Sequence, residues 1–314
     1  MSPIARTLIG RAIQAVTVAL LVGVITFVLA HTLPGDIAMR VAASRYGADL
    51  VSGEAADLVT RELGLDRPWT VQLLDWLWRV VRFDLGEALV TGEKVTDELG
   101  LQLGYTLLLS FAALFLSLLI GPPLGLLLGL RAGSAMDRAG LTASAAIRAL
   151  PPFVLGLLLI LLFSLVLGWL PPTGFEGLRE LILPSLTLAL GLAATSSRIT
   201  RDATASVVAA PYFAFARWKG LSDRQALLRH GLRNAGVPVI AYIGMQLVWL
   251  IEGVMAVEIL FAWPGVGHAL VHAVFARDIP MLQGTALTMG LMFVALNALV
   301  DLTCAAIDPR RRAA

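Results

Sequence analysis

The chain has 314 residues, of which 58% are hydrophobic and 15% charged, against roughly 45–50% and about 25% in a soluble domain. With a mean hydropathy of +0.81, this composition excludes a soluble globular protein and leaves an integral membrane protein with room for several spans of about 20 residues. The net charge of +2 hides a segregation of charge along the chain, and the single cysteine, Cys304, excludes an internal disulfide.

Arg6 and Arg11 precede an apolar run from Ala12 to Ala30. The run is long for the apolar part of a signal peptide and no A-x-A site follows it, so it reads as a first span, about Leu8 to Ala30, with the N-terminus in the cytoplasm. His31-Thr-Leu-Pro-Gly-Asp36 ends that span, Pro34 and Gly35 acting as helix breakers. Residues 31–101 form a mostly polar external insert. Within it, Glu54 to Leu63 suits a short amphipathic helix and Asp66-Arg-Pro68 a turn. Val71 to Trp78 suits a second amphipathic helix, with Leu74, Trp76, Leu77 and Trp78 near a membrane interface, where tryptophan is favoured.

The second span is predicted at about Gln102 to Leu130. Gly121, Gly125 and Gly129 recur every fourth residue there, the pattern of a face made for close helix packing, and Pro122-Pro123 predicts a kink. Arg131 to Arg138 is a short polar loop. A third span, about Leu141 to Leu167, is broken near Pro151-Pro152. The fourth covers about Leu181 to Ile199, the fifth Val239 to Leu260 and the sixth Leu282 to Ile307. A short tail, 309–314, closes the chain.

Between the fourth and fifth spans lies the polar stretch Thr200 to Pro238. It carries Arg201, Arg217, Lys219, Arg224, Arg229 and Arg233, preceded by Arg198 and opposed only by Asp202 and Asp223. Gly220 separates two helix-compatible runs, Ala205 to Lys219 and Asp223 to Asn234, the second opened by Ser222 as N-cap. Helix, glycine, helix makes a compact element on which a soluble partner can dock; the reading set against it is a solvated loop that only marks the cytoplasmic side.

Basic residues mark the cytoplasmic side. With six spans and both termini inside, Arg6, Arg11, Arg131, Arg138, Arg310, Arg311, Arg312 and the basic residues of the large loop all fall in the cytoplasm, against Asp137, Asp202, Asp223 and Asp308. The insert between the first two spans is instead rich in Asp and Glu. No phosphate loop of the G-x-x-x-x-G-K-[ST] type, no H-E-x-x-H and no G-x-S-x-G is present. If the protein moves a solute uphill, the energy comes from elsewhere. His268 and His272, spaced i, i+4, suit two metal ligands on one helix face. No carboxylate pattern accompanies them, and the reading set against it is a polar loop just outside the fifth span.

The last third of the chain holds several motifs in one order and spacing: Arg217-Trp-Lys-Gly-Leu-Ser222, Arg229-His-Gly-Leu-Arg-Asn-Ala235, Val257-Glu-Ile-Leu-Phe-Ala-Trp-Pro-Gly-Val-Gly267, Arg277-Asp-Ile-Pro280, and Asn297-Ala-Leu-Val-Asp301 to Asp308-Pro-Arg310. Together with Leu33-Pro-Gly-Asp36 and Leu63-Gly-Leu-Asp-Arg-Pro68 they cover nearly the whole chain. In this it resembles the permease subunits of the dipeptide, oligopeptide and nickel family of binding-protein-dependent ABC importers, and within it the first of two related permeases, the one with the larger external insert.

The resemblance implies an all-α type I importer fold of six transmembrane helices in the cell inner membrane, with residues 95–308 as the transmembrane domain and about 200–238 as its coupling loop. It implies a second homologous permease, two ATPase subunits that use ATP and Mg, and an external solute-binding protein. No cofactor on this chain, no metal and no nucleic acid are implied. The ATPase-docking residues would be Ala214, Phe215, Ala216, Arg217, Lys219, Gly220 and Arg224. The family's E-A-A positions fall on Ala214, Phe215 and Ala216, so only the last alanine and Gly220 match, and Leu232-Arg233 stands where the general motif has Leu-Pro. Glu258, Trp263, Pro264, Gly265, Gly267 and Asp301 belong to the family pattern as structural residues. Glu252 does not, and an ionisable residue in a span calls for a partner or a watery path. It is read either as paired with Arg148 or a neighbouring helix, or as a pathway carboxylate facing a cationic solute, with Met245, Gln246 and Trp249 along the same helix. Di- or oligopeptide import, with nickel or metal-chelate import as the alternative, is weighed against a membrane-embedded enzyme and an assembly scaffold. The enzyme reading lacks paired His, Asp or Glu on facing spans, and the basic loop argues against the scaffold.

Overall fold

The computed structural model describes residues 3–32, 38–39, 42–43, 53–64 and 66–307, and for some residues inside helices, most of them between 223 and 252, the backbone alone. The motif at 33–36 and the tail from 308 lie outside the described residues. The described residues form helices and turns with no strand, a single bridge joining Glu87 and Lys94. In chain order the helices are α1 (Pro3–Thr32), α2 (Gly53–Leu63), α3 (Trp69–Val81), α4 (Val95–Leu130), α5 (Ala135–Ala149) and α6 (Pro152–Leu159), which widens into a π-helical stretch (Ile160–Val166). Then come α7 (Leu178–Ala209), α8 (Pro211–Trp218), α9 (Asp223–Ala226) with a second π-helical stretch (Leu227–Gly231), α10 (Leu232–Leu260), α11 (Val266–Ala276) and α12 (Ile279–Ile307).

Among the described residues four helical segments are long and apolar enough to cross a bilayer: Ala5–Leu29, Val95–Leu130, Leu178–Ala209 and Ile279–Leu302. The pair α5 and α6 with its π stretch, bent by 106°, makes a fifth if counted as one span. These coincide with five of the six stretches that the hydropathy pattern predicts. The sixth, about Val239 to Leu260, lies within α10, several of whose side chains are outside those described. The bend falls where Pro151-Pro152 forces it. Leu150 is extended (φ −88°, ψ 130°), as a residue before proline prefers, and α6 restarts with proline at its first turn.

The chain folds as two compact units, Met1–Thr106 with Pro264–Leu299, and Leu107–Trp263 with Val300–Ala313. In the first, α3 packs on α1: a Cβ on Gly23 would collide with the Trp76 ring and lie 3.6 Å from Leu77. The four apolar residues that the pattern assigns to an interface therefore divide. Trp76 and Leu77 face α1, while Leu74 and Trp78 are exposed and Arg82 stacks on Trp78 at 4.7 Å. α12 crosses α1 at Gly290, close to Val18, and meets the start of α4 at Gly284, against Val95 and Leu99. Asp278 fixes this corner. Its carboxylate accepts from the backbone N–H of Val90 and of Met281, each at 3.0 Å, which ties the loop after α3 to the head of α12. Burial pushes the Asp278 carboxyl up, against the downward pull of backbone N–H donors from Met281, Val90 and Leu89.

In the second unit α7 is the central helix. The glycine ridge of α4 lies along it: a Cβ on Gly125 would come within 2.7 Å of Thr200 Cβ, and one on Gly129 within 2.6 Å of Thr204 Cβ and 2.7 Å of the Arg201 carbonyl oxygen. α5, α6 and α10 also pack on α7. Pro122 and Pro123 are accommodated within the single helix α4.

Candidate docking loop and pathway residues

The helix that begins α7 does not run on to Lys219 as the sequence pattern suggests. It stops at Ala209, because Pro211 pushes Ala210 into an extended conformation (φ −73°, ψ 144°) and then opens α8 at its first turn. α8 is amphipathic. Phe213 and Ala216 are buried in a cluster with Val207, Ala226, Leu227 and Ala235. The opposite side carries Tyr212, Phe215 and Trp218, which are 41%, 53% and 85% exposed. Arg217 lies over the Phe213 ring at 5.3 Å and Lys219 over Phe215 at 4.6 Å, so the apolar ring faces are bordered by cations.

The end of α8 is a Schellman motif. Gly220 N–H donates to the Arg217 carbonyl at 2.9 Å and Leu221 N–H to the Ala216 carbonyl at 3.2 Å, with Gly220 at φ +84° and Leu221 packed on the buried cluster. The next helix starts one residue later through a capping box: Ser222 Oγ accepts from Gln225 N–H at 3.4 Å, and Gln225 Oε1 accepts from Ser222 N–H at 3.1 Å. The predicted N-cap is thus in place, and Gln225 is its partner. The second run does not end at Asn234; α9 passes through its π stretch into α10, which takes Pro238 into its interior.

Of the residues expected to dock a partner, Ala214, Phe215, Arg217, Lys219 and Gly220 are exposed and Ala216 is buried; the Arg224 side chain lies outside the described set. Tyr212 and Trp218 were not among those residues. Their spacing from Phe215, three residues either way, is the signal that finds them.

Along α10, Met245 is exposed and Gln246 fully buried. Gln246 Nε2 donates to the Leu192 carbonyl of α7 at 2.7 Å, and its Oε1 has no partner among the described residues. The side chains of Trp249 and Glu252 lie outside the described residues. Arg148 donates to Thr195 Oγ1 at 2.6 Å. Glu258, Trp263, Gly265 and Gly267 are buried, Pro264 and Asp301 half-buried, and the chain turns at Ala262 (φ +51°) to start α11. The His268 and His272 rings are 4.4 Å apart. Burial, and next the charge of His272, lower the His268 pKa. Among the described residues no group of three or more His, Cys, Asp or Glu is arranged for a metal ion.

Beneath the loop, Arg201 of α7 grips Asp137 of α5 with Nε to Oδ1 at 2.9 Å and Nη2 to Oδ2 at 2.5 Å, and reaches Asp202 at 2.9 Å. Asp137 also accepts from Gly133 N–H at 2.8 Å. It precedes the apolar part of the bent pair, and the Arg201 hydrogen bonds, then that of Gly133, hold its pKa down to about 2.

A bundle of apolar helices carrying one compact, capped helix-turn-helix on a polar loop defines a multi-pass membrane subunit. Residues 121–313 match the family described as "Binding-protein-dependent transport system inner membrane component", and residues 4–101 match "Binding-prot-dependent transport system membrane comp, N-term". The chain is 36% identical over 302 residues to the glutathione transport system permease protein GsiC of Salmonella choleraesuis (strain SC-B67), which covers 96% of this chain and 97% of that one. It is 37% identical over 304 residues to GsiC of Pectobacterium atrosepticum (97% and 98% covered) and 36% over 304 to GsiC of Escherichia coli (strain K12), with the same coverage. The chain belongs to the binding-protein-dependent transport system inner membrane component family. It is a permease component of an ABC importer with the helical type I fold, not an enzyme; separate ATPase subunits hydrolyse the ATP.

Proposed function

We propose that this permease serves an importer of di- and oligopeptides delivered by an external binding protein, working beside a second homologous permease and two ATPase subunits. The carrying observation is the 36–37% identity, over nearly the whole chain, to permeases named for transport of glutathione, a tripeptide. It favours a peptide over the nickel or metal-chelate alternative. The arginine distribution supports six spans with both termini in the cytoplasm. The loop through α8, Gly220 and α9 is then the ATPase-docking element, supported by the exposed Tyr212, Phe215 and Trp218 and by the cations at Arg217 and Lys219. Arg224 is assigned to the same surface. Met245, Gln246, Trp249 and Glu252 on α10 are assigned to the solute path; the exposure of Met245 and the unpartnered Gln246 Oε1 support this.

The test is uptake of labelled glutathione and short peptides by cells with and without this permease in an otherwise complete importer, together with co-purification of the ATPase. Gly220→Val places a branched side chain at φ +84°, at roughly 1–3 kcal/mol of local strain, and Trp218→Ala removes the most exposed of the three α8 rings. Both variants should reach the membrane, retain less ATPase and import poorly. Unchanged ATPase retention and uptake in both would remove the docking role. Failure of the unaltered importer to take up any peptide would remove the solute reading.

A further inference from the structure

A cleft of about 310 Å³ opens between α5 and α7, with Ser144 and Arg148 on one wall and Arg198, Arg201 and Asp202 on the other. Its charges do not balance. Arg201 is held by Asp137 and Asp202, which occupies the one carboxylate lining the cleft. Among the described residues Arg148 has only a neutral partner, Thr195 Oγ1. Arg198 is exposed and makes no hydrogen bond or ion pair among the described residues. Among the described residues two guanidinium groups therefore share one cleft without a counter-charge, beside the buried hydroxyl of Ser144, which meets Ser197 Oγ at 3.3 Å. Like charges so placed repel, and an anion between them removes the repulsion. The guanidinium fork suits a planar or tetrahedral oxyanion through paired, charge-assisted hydrogen bonds.

The surroundings narrow the anion further. α7 is one of the apolar helices long enough to span, and directly after Arg148 the chain turns apolar, with Leu150 and Phe153 exposed. A basic pocket between spans on the arginine-rich side is where acidic head groups settle, their acyl chains against neighbouring apolar surface. We propose that Arg148 and Arg198 form an oxyanion site that takes either the phosphate of an acidic phospholipid or a carboxylate of the imported solute. The second source rests on the peptide-import reading above; the first does not.

The experiment uses the complete importer, as wild type, as the pair Arg148→Gln with Arg198→Gln, and as the pair Arg148→Lys with Arg198→Lys. Phosphatidylglycerol retained after extraction from mixed phosphatidylcholine and phosphatidylglycerol vesicles is counted by native mass spectrometry. Glutathione uptake is measured separately in vesicles of phosphatidylcholine alone. If the phosphate is the ligand, the Gln pair retains roughly tenfold less phosphatidylglycerol, the Lys pair keeps most of it, and uptake in phosphatidylcholine is unchanged. If the solute carboxylate is the ligand, glutathione uptake falls roughly tenfold in the Gln pair and recovers in part with Lys, while lipid retention is unchanged. A Gln pair equal to wild type in both measurements overturns the proposal. Should the wild type import no glutathione, the import reading fails by itself, and the lipid count alone decides the site.

Discussion

Asp137 shows how a single carboxylate can hold two helices. Its pKa of about 2, against an ordinary 3.8, means that the folded state favours the ionised form more than the unfolded chain does. The stability it contributes is complete above the ordinary value and is lost as pH falls from there through about 2. Asp137→Asn keeps the shape and abolishes the ionised acceptor. Purified in detergent, the variant should melt below wild type at about pH 7, and the gap should narrow at about pH 3 and below. A gap of constant size across that range would mean that the ion pair with Arg201 is not its source. The sequence offered Asp137 only as a minority charge in a basic loop. Its partner, 64 residues on, could not be read, because pairing at that distance depends on how α5 comes to lie on α7.

At the scale of elements, spacing told most where the physics is local. The repeat of Gly121, Gly125 and Gly129 predicted a close helix contact and α7 supplies it; Ser222 predicted a helix start and the capping box confirms it. Boundaries set by proline competed with apolar periodicity and were harder to place. Pro211 ends a helix whose pattern continues past it, whereas Pro238 sits inside one. Burial on α8 was legible only in part, since Ala216 and Ala214 are chemically alike and only the packing under α8 buries one of them. The glycine contact gives a quantitative expectation. Gly125→Leu must part α4 from α7 and should lower stability by about 1–3 kcal/mol or more, while Gly10→Leu, at a glycine with nothing within 4 Å, should be tolerated. Equal melting temperatures for the two variants would show that the ridge does not hold the helices.

For the molecule as a whole, hydropathy and arginine placement carry the expectation of six spans with both termini in the cytoplasm, which labelling tests. In a Cys304→Ser background, Asp66→Cys should react with an impermeant thiol reagent from outside intact cells, and Ala132→Cys only after the membrane is opened. Reaction of both from outside would reverse the orientation of the loop and with it the side on which an ATPase can dock. The class of solute was legible only through resemblance, because nothing in hydropathy or spacing encodes what a binding protein hands over. An importer also has to rearrange its helices as solute passes, and the seam between α4 and α7 limits how. The glycines on one side and Ser196, Thr200 and Thr204 on the other are spaced by the same four residues, about 6 Å along a helix. The two surfaces are commensurate, like racks cut to one pitch. Sliding by a whole repeat brings glycine back opposite hydroxyl, whereas a half-repeat sets leucine against threonine. Arrangements of this pair that keep close contact are therefore discrete, separated by one tooth.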